Sequence, residues 1–266
     1  MLRTLALCLV LGGAIQAAQA QNCAKTVYLT FDTGSQSQAE FIAGVLKKHQ
    51  VKATFFLANE KTVRGDFSLD ASWAGYWQAL AQDGHAFGTH TFDHVYLEKS
   101  AAVAGSTRIQ VKPQFGAQAG QSLAWSATQF CAELQRSQTR FEQFTGQAID
   151  AIWRAPGGRV NAATLQAAKQ CGFQHVGWAA AGFLGDELPS QSYPNAQLLS
   201  KALSALKNGD IAMAHLGIWS RQDAWAPAVL EPLIVGLKAK NTCFATLRDH
   251  PAYRKDGQGA PLFTAR

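Results

Sequence analysis

Charge is scarce in this chain. Only 16% of its residues are Asp, Glu, Lys or Arg, and the 24 basic side chains are scattered along it. With no basic run and no basic stripe interleaved with aromatics, nucleic-acid binding has no electrostatic footing. The formal net charge of +6, or +5 once Arg3 is set aside, fits solubility and attraction to an anionic envelope polymer. No Cys-x-x-Cys pair occurs among the five cysteines, which argues against a thiolate metal site or a dithiol redox motif. Beyond residue 20 no apolar stretch reaches the roughly 20 residues a membrane-spanning helix needs. Short repeats and low-complexity tracts are absent as well.

Residues 1–20 read as a secretory signal peptide. Arg3 supplies a positive start, residues 5–15 an apolar core, and Ala18-Gln19-Ala20 a small-x-small cleavage site. The residues before Cys23 do not form a lipoprotein cleavage pattern, so a soluble product, periplasmic or secreted, is expected, with no integral membrane segment after cleavage. Cleavage removes Cys8 and leaves Cys23, Cys131, Cys171 and Cys243. In an exported protein these four allow two disulfides in any of three connectivities; buried free thiols are the alternative.

The remaining stretch, 21–266, has the length of a single α/β barrel domain. β-Branched and aromatic enrichment marks strands over 26–31, 53–57, 85–89, 151–154, 175–179, 211–215 and 242–247. Helix-like stretches alternate with them over 36–49, 76–82, 123–144, 162–170, 196–206 and 224–240, several followed by Gly (Gly84, Gly146, Gly172, Gly209). Seven strands alternating with helices predict an α/β fold with a parallel, closed or nearly closed barrel. Residues 95–121, rich in Gly, Ala, Ser and Gln, are expected to form an irregular loop over the site.

In such a barrel chemistry gathers at the C-terminal ends of the strands. Asp32 ends the first strand, His90 and His94 follow the third, Arg154 ends the fourth and His215 ends the sixth. Two histidines four apart can turn both imidazoles to one ion, although an isolated pair at this spacing is weak evidence. Singly, Asp32 would cap a helix, Arg154 would make a surface ion pair, and His215 would be a hydrogen-bonded core residue. Unrelated structural needs would not put all five on one rim. Together they support metal-assisted hydrolysis of an acyl group. A carboxylate takes a proton from water, a histidine protonates the leaving amine or alcohol, and an arginine keeps the carboxylate in place and ionised.

These motifs resemble those of the polysaccharide deacetylase family, also called the NodB-homology domain or carbohydrate esterase family 4. Thr30-Phe31-Asp32-Thr33-Gly34 is similar to its Thr-Phe-Asp-Asp-Gly, and His90-Thr91-Phe92-Asp93-His94 matches its His-(Ser/Thr)-x-x-His in full. Arg154-Ala155-Pro156-Gly157-Gly158 resembles its Arg-x-Pro-x-Gly, and His215 fits its fifth motif. Order and spacing are kept from about residue 25 to residue 247. The resemblance implies a distorted (β/α)7 barrel in a single domain. It also implies a metal-dependent hydrolase that removes acetyl groups from N-acetylated sugars of a cell-wall or extracellular polysaccharide. By this resemblance Asp32 is the catalytic base, Arg154 orients it, and His215 is the general acid. His90, His94 and, in one arrangement, Asp32 ligate a divalent metal, zinc foremost, with cobalt, nickel or manganese as alternatives. Thr33, Pro156, Gly157, Trp178 and Trp219 are the substrate-binding candidates. Other nearby aromatics, Trp73, Tyr76, Trp77 and Trp225, are expected to pack in the fold. The partner expected is an acetylated glycan, and the protein a monomer.

Two departures bear on the site. The family's second motif-one Asp, a metal ligand, is Thr33 here, so the ion is left either with two histidines and water or with Asp32 itself. No Asp-Trp pair stands where the fourth motif is expected; Asp186 is the available carboxylate behind His215. The alternative functions are a non-catalytic carbohydrate binder on the same fold and a hydrolase of another small acyl group.

Overall fold

The computed structural model describes residues 23–98 and 108–254. The expected signal peptide lies outside the described residues, as do positions 99–107 of the expected loop. In chain order the strands are β1 (Lys25–Asp32), β2 (Thr54–Leu57), β3 (Ala86–Thr89), β4 (Val95–Leu97), β5 (Ile109–Pro113), β6 (Leu123–Trp125), β7 (Ile152–Trp153), β8 (Gln174–His175), β9 (Ile211–His215) and β10 (Thr242–Phe244). The α-helices are α1 (Ala39–Lys48), α2 (Ala74–Gln82), α3 (Ala127–Thr145), α4 (Ala162–Gln170), α5 (Asn195–Ala205) and α6 (Glu231–Ala239).

Seven strands form one parallel sheet in the order β10-β1-β2-β3-β7-β8, with β9 on the opposite edge of β1 from β2. β1 and β2 are buried on both faces, as parallel strands covered by helices must be. The ring closes without a second ladder. Residues 179–184 reach β9 through single hydrogen bonds: Ala179 N–H to the Ile211 carbonyl (3.0 Å), Met213 N–H to that of Gly182 (2.7 Å) and Leu184 N–H to that of Met213 (3.1 Å). This is the distorted (β/α)7 barrel, in a single α/β domain. Its strands are shorter than the apolar runs suggested: the fifth stops at His175 and the last at Phe244.

The helices cover the ring by burying one stripe each. α1 buries Ala39, Ile42, Val45 and Leu46, a three-to-four-residue spacing. α3 opens on a capping box, Ser126 with Gln129, and ends on Gly146 in the left-handed conformation (φ 69°). That box corrects the expected helix start at 123, because Leu123–Trp125 is β6. The expected loop over 95–121 is also corrected in part: β4, β5 and β6 form a three-stranded antiparallel sheet. Within Ile109–Pro113 the buried residues Ile109, Val111 and Pro113 alternate with less buried neighbours. This is the period-two pattern of a strand, and the Gly and Ser content around it masks it. Cys23 pairs with Cys243, and Cys131 on α3 pairs with Cys171 at the end of α4. Among the described residues no helix is long and apolar enough to cross a membrane.

Candidate active site

Sheet register collects the polar residues at one end of the barrel. Asp32 lies beside Phe56 of β2 and His215 of β9, Leu57 beside Thr89, and Thr89 beside Trp153. His90 and Arg154 are therefore the first residues past adjacent strand ends. Arg154 is fully buried and spends its donors on this rim. Its Nη1 reaches Asp32 Oδ1 (2.8 Å) and Thr30 Oγ1 (2.8 Å), and Nε reaches the Val176 carbonyl (3.3 Å). The guanidinium also lies 4.2 Å from the centroid of the Phe56 ring. Burial alone would raise the Asp32 carboxyl, but Arg154, His90 and His215 together hold it below the usual carboxylate range.

The two histidines are set by a strained loop. Thr91 (φ 60°) and His94 (φ 48°) both adopt left-handed backbone, which costs most for a β-branched residue. Neighbouring bonds hold that conformation. Thr91 Oγ1 accepts from Val95 N–H (2.7 Å), and Asp93 N–H donates to Glu133 of α3 (2.5 Å). Arg136, also on α3, pairs with Asp93 (2.6 Å). His90 Nδ1 lies 2.9 Å from the Arg154 carbonyl. A carbonyl can only accept, so Nδ1 carries the proton and Nε2 presents a lone pair. Burial pushes the His90 imidazole down to about 4, which keeps it neutral. Its Nε2 faces Asp32 Oδ2 at 3.7 Å, and the His94 ring lies 5.1 Å away, centroid to centroid.

His215 has Asp186 behind it, as the second departure required. Asp186 Oδ2 accepts from the His215 backbone N–H (2.6 Å), and both carboxylate oxygens lie 3.2 Å from Nδ1. Burial would lower this imidazole. Asp186 overrides burial, joined by Asp32 and Glu187, and pushes it up to about 10. The loop carrying Asp186 is pinned by Arg221, whose guanidinium donates to the Leu188 and Tyr193 carbonyls and to Asn195 Oδ1. A cavity of about 230 Å³ opens beside His215, lined by Asp186, Gly217, Ile218, Arg221 and Trp225 among others.

A carboxylate that the motifs did not reveal stands on the other side. Glu60, three residues past the end of β2, accepts a hydrogen bond on Oε1 from Thr33 Oγ1 (2.7 Å). Its Oε2 lies 4.0 Å from His94 Nε2. Thr33 Oγ1 itself accepts from Ala58 N–H (3.0 Å).

Comparison with known proteins then decides the family. Residues 19–176, more than half of the chain, match the profile of the Polysaccharide deacetylase family. The chain belongs to the polysaccharide deacetylase family. Its relatives include a peptidoglycan-N-acetylglucosamine deacetylase of Bacillus cereus, 22% identical over 88% of this chain and 91% of that one. The peptidoglycan-N-acetylmuramic acid deacetylase PdaA of Bacillus subtilis is 28% identical over 85% and 71%. In fold it is similar to a family 4 acetyl xylan esterase from Clostridium thermocellum, solved with cobalt (TM-score 0.61, 19% identity, 85% and 89% covered). Members of this family are metal-dependent hydrolases acting on acetylamide bonds.

The donor set of this deacetylase fits a divalent ion. It offers a neutral imidazole with its lone pair turned inward, a second imidazole and two carboxylates, all suited to zinc and its first-row neighbours. His94 Nδ1 is buried and has no hydrogen-bond partner among the described residues, so the protein alone leaves that ring unsatisfied. As the side chains stand, no three of the described His, Cys, Asp and Glu residues are drawn as tight as a closed cage. Two atoms each about 2.1 Å from one zinc are at most about 4.2 Å apart. The 3.7 Å and 4.0 Å separations both fall inside that limit.

The substrate-binding candidates divide in two. Thr33 and Pro156 are buried, Gly157 lies under the Tyr96 ring, and Trp178 packs over Gly158 and near Arg154. Trp219, by contrast, is 61% exposed and does not line the cavity beside His215. Trp73, Trp77 and Trp225 are core residues, and Tyr76 packs against the core. Tyr96 and Glu60 were not singled out from sequence. Glu60 was findable: it follows the one early strand end to which no polar rim residue had been assigned.

Proposed function

We infer that this deacetylase is an exported, zinc-dependent enzyme that removes acetyl groups from N-acetylated sugars of a cell-wall or extracellular polysaccharide. The observation that carries the reading is the placement of Asp32 between His90 and His215, with Arg154 fixing it. His90 and His94 would hold the ion, together with a carboxylate. A divalent ion held there would supply Lewis-acid polarisation of the acetyl carbonyl and a lowered pKa for water. Asp32, kept ionised by Arg154, accepts that water's proton. His215, charged through Asp186, donates a proton to the leaving sugar nitrogen, with the cavity beside it available for the sugar ring. Trp178, Pro156 and Gly157 would wall the acetyl group, and Trp219 would stack on a neighbouring sugar. Two disulfides, the residue 1–20 pattern and relatives named for peptidoglycan support an extracytoplasmic site of action.

The test is acetate release from acetylated chitooligosaccharides, peptidoglycan and acetylxylan by the mature protein, with and without chelator. Release lost on chelation, restored by zinc and absent in His90→Ala is the expected result. Protein that holds zinc and binds a glycan but releases no acetate would overturn the reading in favour of a carbohydrate binder. Release of a different acyl group alone would redefine the substrate.

A further inference from the structure

We propose that Glu60 is the third protein ligand to the metal, and that Thr33 is the residue that aims it. This deepens the zinc-dependent reading and rests on it.

Thr33 is poorly suited to ligation. Its hydroxyl has one proton, given to Glu60 Oε1 at 2.7 Å, and it already accepts from Ala58 N–H. A neutral hydroxyl so committed is an orienting group. Glu60 stands the other way round. Oε1 is fixed, while Oε2 faces His94 Nε2 at 4.0 Å, too far to share a proton. Across the site His90 Nε2 faces Asp32 Oδ2 at 3.7 Å with its lone pair forward. Glu60 Oε2 and His94 Nε2 thus face each other across a gap too wide for a hydrogen bond, one that a cation between them would fill.

Charge balance points the same way. Asp32 has Arg154 as its counter-ion. Glu60 is nearly as buried, yet among the described residues no Lys or Arg pairs with it. A buried carboxylate with no basic side chain paired to it is costly until a cation compensates it. Its backbone is held rigid for the task. Glu60 N–H donates to Ser68 Oγ (3.0 Å), its carbonyl accepts from Ser68 N–H (2.8 Å), and Ser68 is fully buried. The preceding Asn59 N–H donates to the Phe92 carbonyl (2.6 Å), tying this turn to the histidine loop. With Glu60 as ligand, Asp32 stays free to act as base.

The experiment is zinc titration of metal-stripped mature protein, by calorimetry and by competition with a chromophoric chelator. The proteins compared are wild type, Glu60→Gln, Thr33→Val and His90→Ala. Wild type binds one zinc, and His90→Ala does not bind. Glu60→Gln weakens binding at least 100-fold, and Thr33→Val weakens it about tenfold by loosening the carboxylate. If Glu60→Gln does not fold, Glu60→Asp takes its place; its carboxylate, drawn back by one methylene, should cost at least tenfold. Wild-type affinity in a folded Glu60 variant, with His90→Ala silent, overturns the role of Glu60 alone. A wild-type protein that takes up no zinc overturns the metal-dependent reading and this proposal with it.

Discussion

The carbonyl oxygen of Arg154 accepts a hydrogen bond from His90 Nδ1 at 2.9 Å. The same residue's guanidinium holds Asp32 at 2.8 Å. One residue thus sets the tautomer of a candidate ligand through its backbone and the ionisation of a candidate base through its side chain. The two jobs can be separated by mutation, because only the second depends on the side chain.

Arg154→Met should keep the carbonyl bond to His90 and strip Asp32 of its counter-ion. The Asp32 carboxyl, now held low, rises, so the acid limb of kcat/KM for acetate release moves to higher pH. Activity at neutral pH falls by about 100-fold or more. Leaving a buried carboxylate unpaired should cost about 3–5 kcal/mol in urea unfolding. In wild type the stability that Asp32 contributes is present above the unfolded carboxylate value. It is lost as pH falls through the lower folded one.

Asp186→Asn should act at the other end of the profile. His215 must be protonated to act as acid, so activity is lost as pH rises through its value, pushed up to about 10 by Asp186. Without that carboxylate the alkaline limb of kcat/KM moves to lower pH. Stability follows the same sign: the contribution of charged His215 is full below the ordinary imidazole value near 6.5 and disappears as pH rises towards 10. Urea unfolding at several pH values should show the variant losing most near pH 6 and progressively less as pH rises towards 10.

Gly34→Ala tests the close approach behind the site. A Cβ at residue 34 would sit 2.3 Å from the Gly217 carbonyl oxygen, a backbone atom with no rotamer to change. The cost should be about 1–3 kcal/mol in urea unfolding, with the segment after His215 displaced and activity reduced.

Replacing both Cys131 and Cys171 by Ser removes the link between α3 and α4. The closed loop spans 40 residues, and the chain-entropy estimate for such a loop is about 4 kcal/mol. Thermal unfolding should show a lowered midpoint. Because α3 also anchors the histidine loop through Glu133 and Arg136, zinc affinity should fall with it.

The alternation of apolar runs and amphipathic stretches made the barrel legible. The five rim residues followed because each ends or follows a strand whose period and composition are clear. What stayed hidden was non-local or masked. Glu60 follows a strand end as the rim residues do, but it belongs to no motif, and its contacts, with Thr33 27 positions away and with His94, are non-local. β5 hid among Gly- and Ser-rich neighbours, and its pairing with Leu123–Trp125 moved the start of α3. The strands β7 and β8 are two residues each, shorter than their apolar runs, and composition does not mark where a ladder ends.

The seam between residues 179–184 and β9 is held by separate hydrogen bonds and a single bridge, whereas the opposite joint of β9, to β1, is a continuous ladder from Tyr28 to Asp32. The chain that crosses it runs directly into Asp186. A brief parting there, the kind amide exchange records, would release the carboxylate behind His215 and leave His90, His94 and Glu60 on their own side of the barrel. The proposed proton donor and the proposed ion ligands thus hang on separate parts of the ring, so loosening one need not loosen the other.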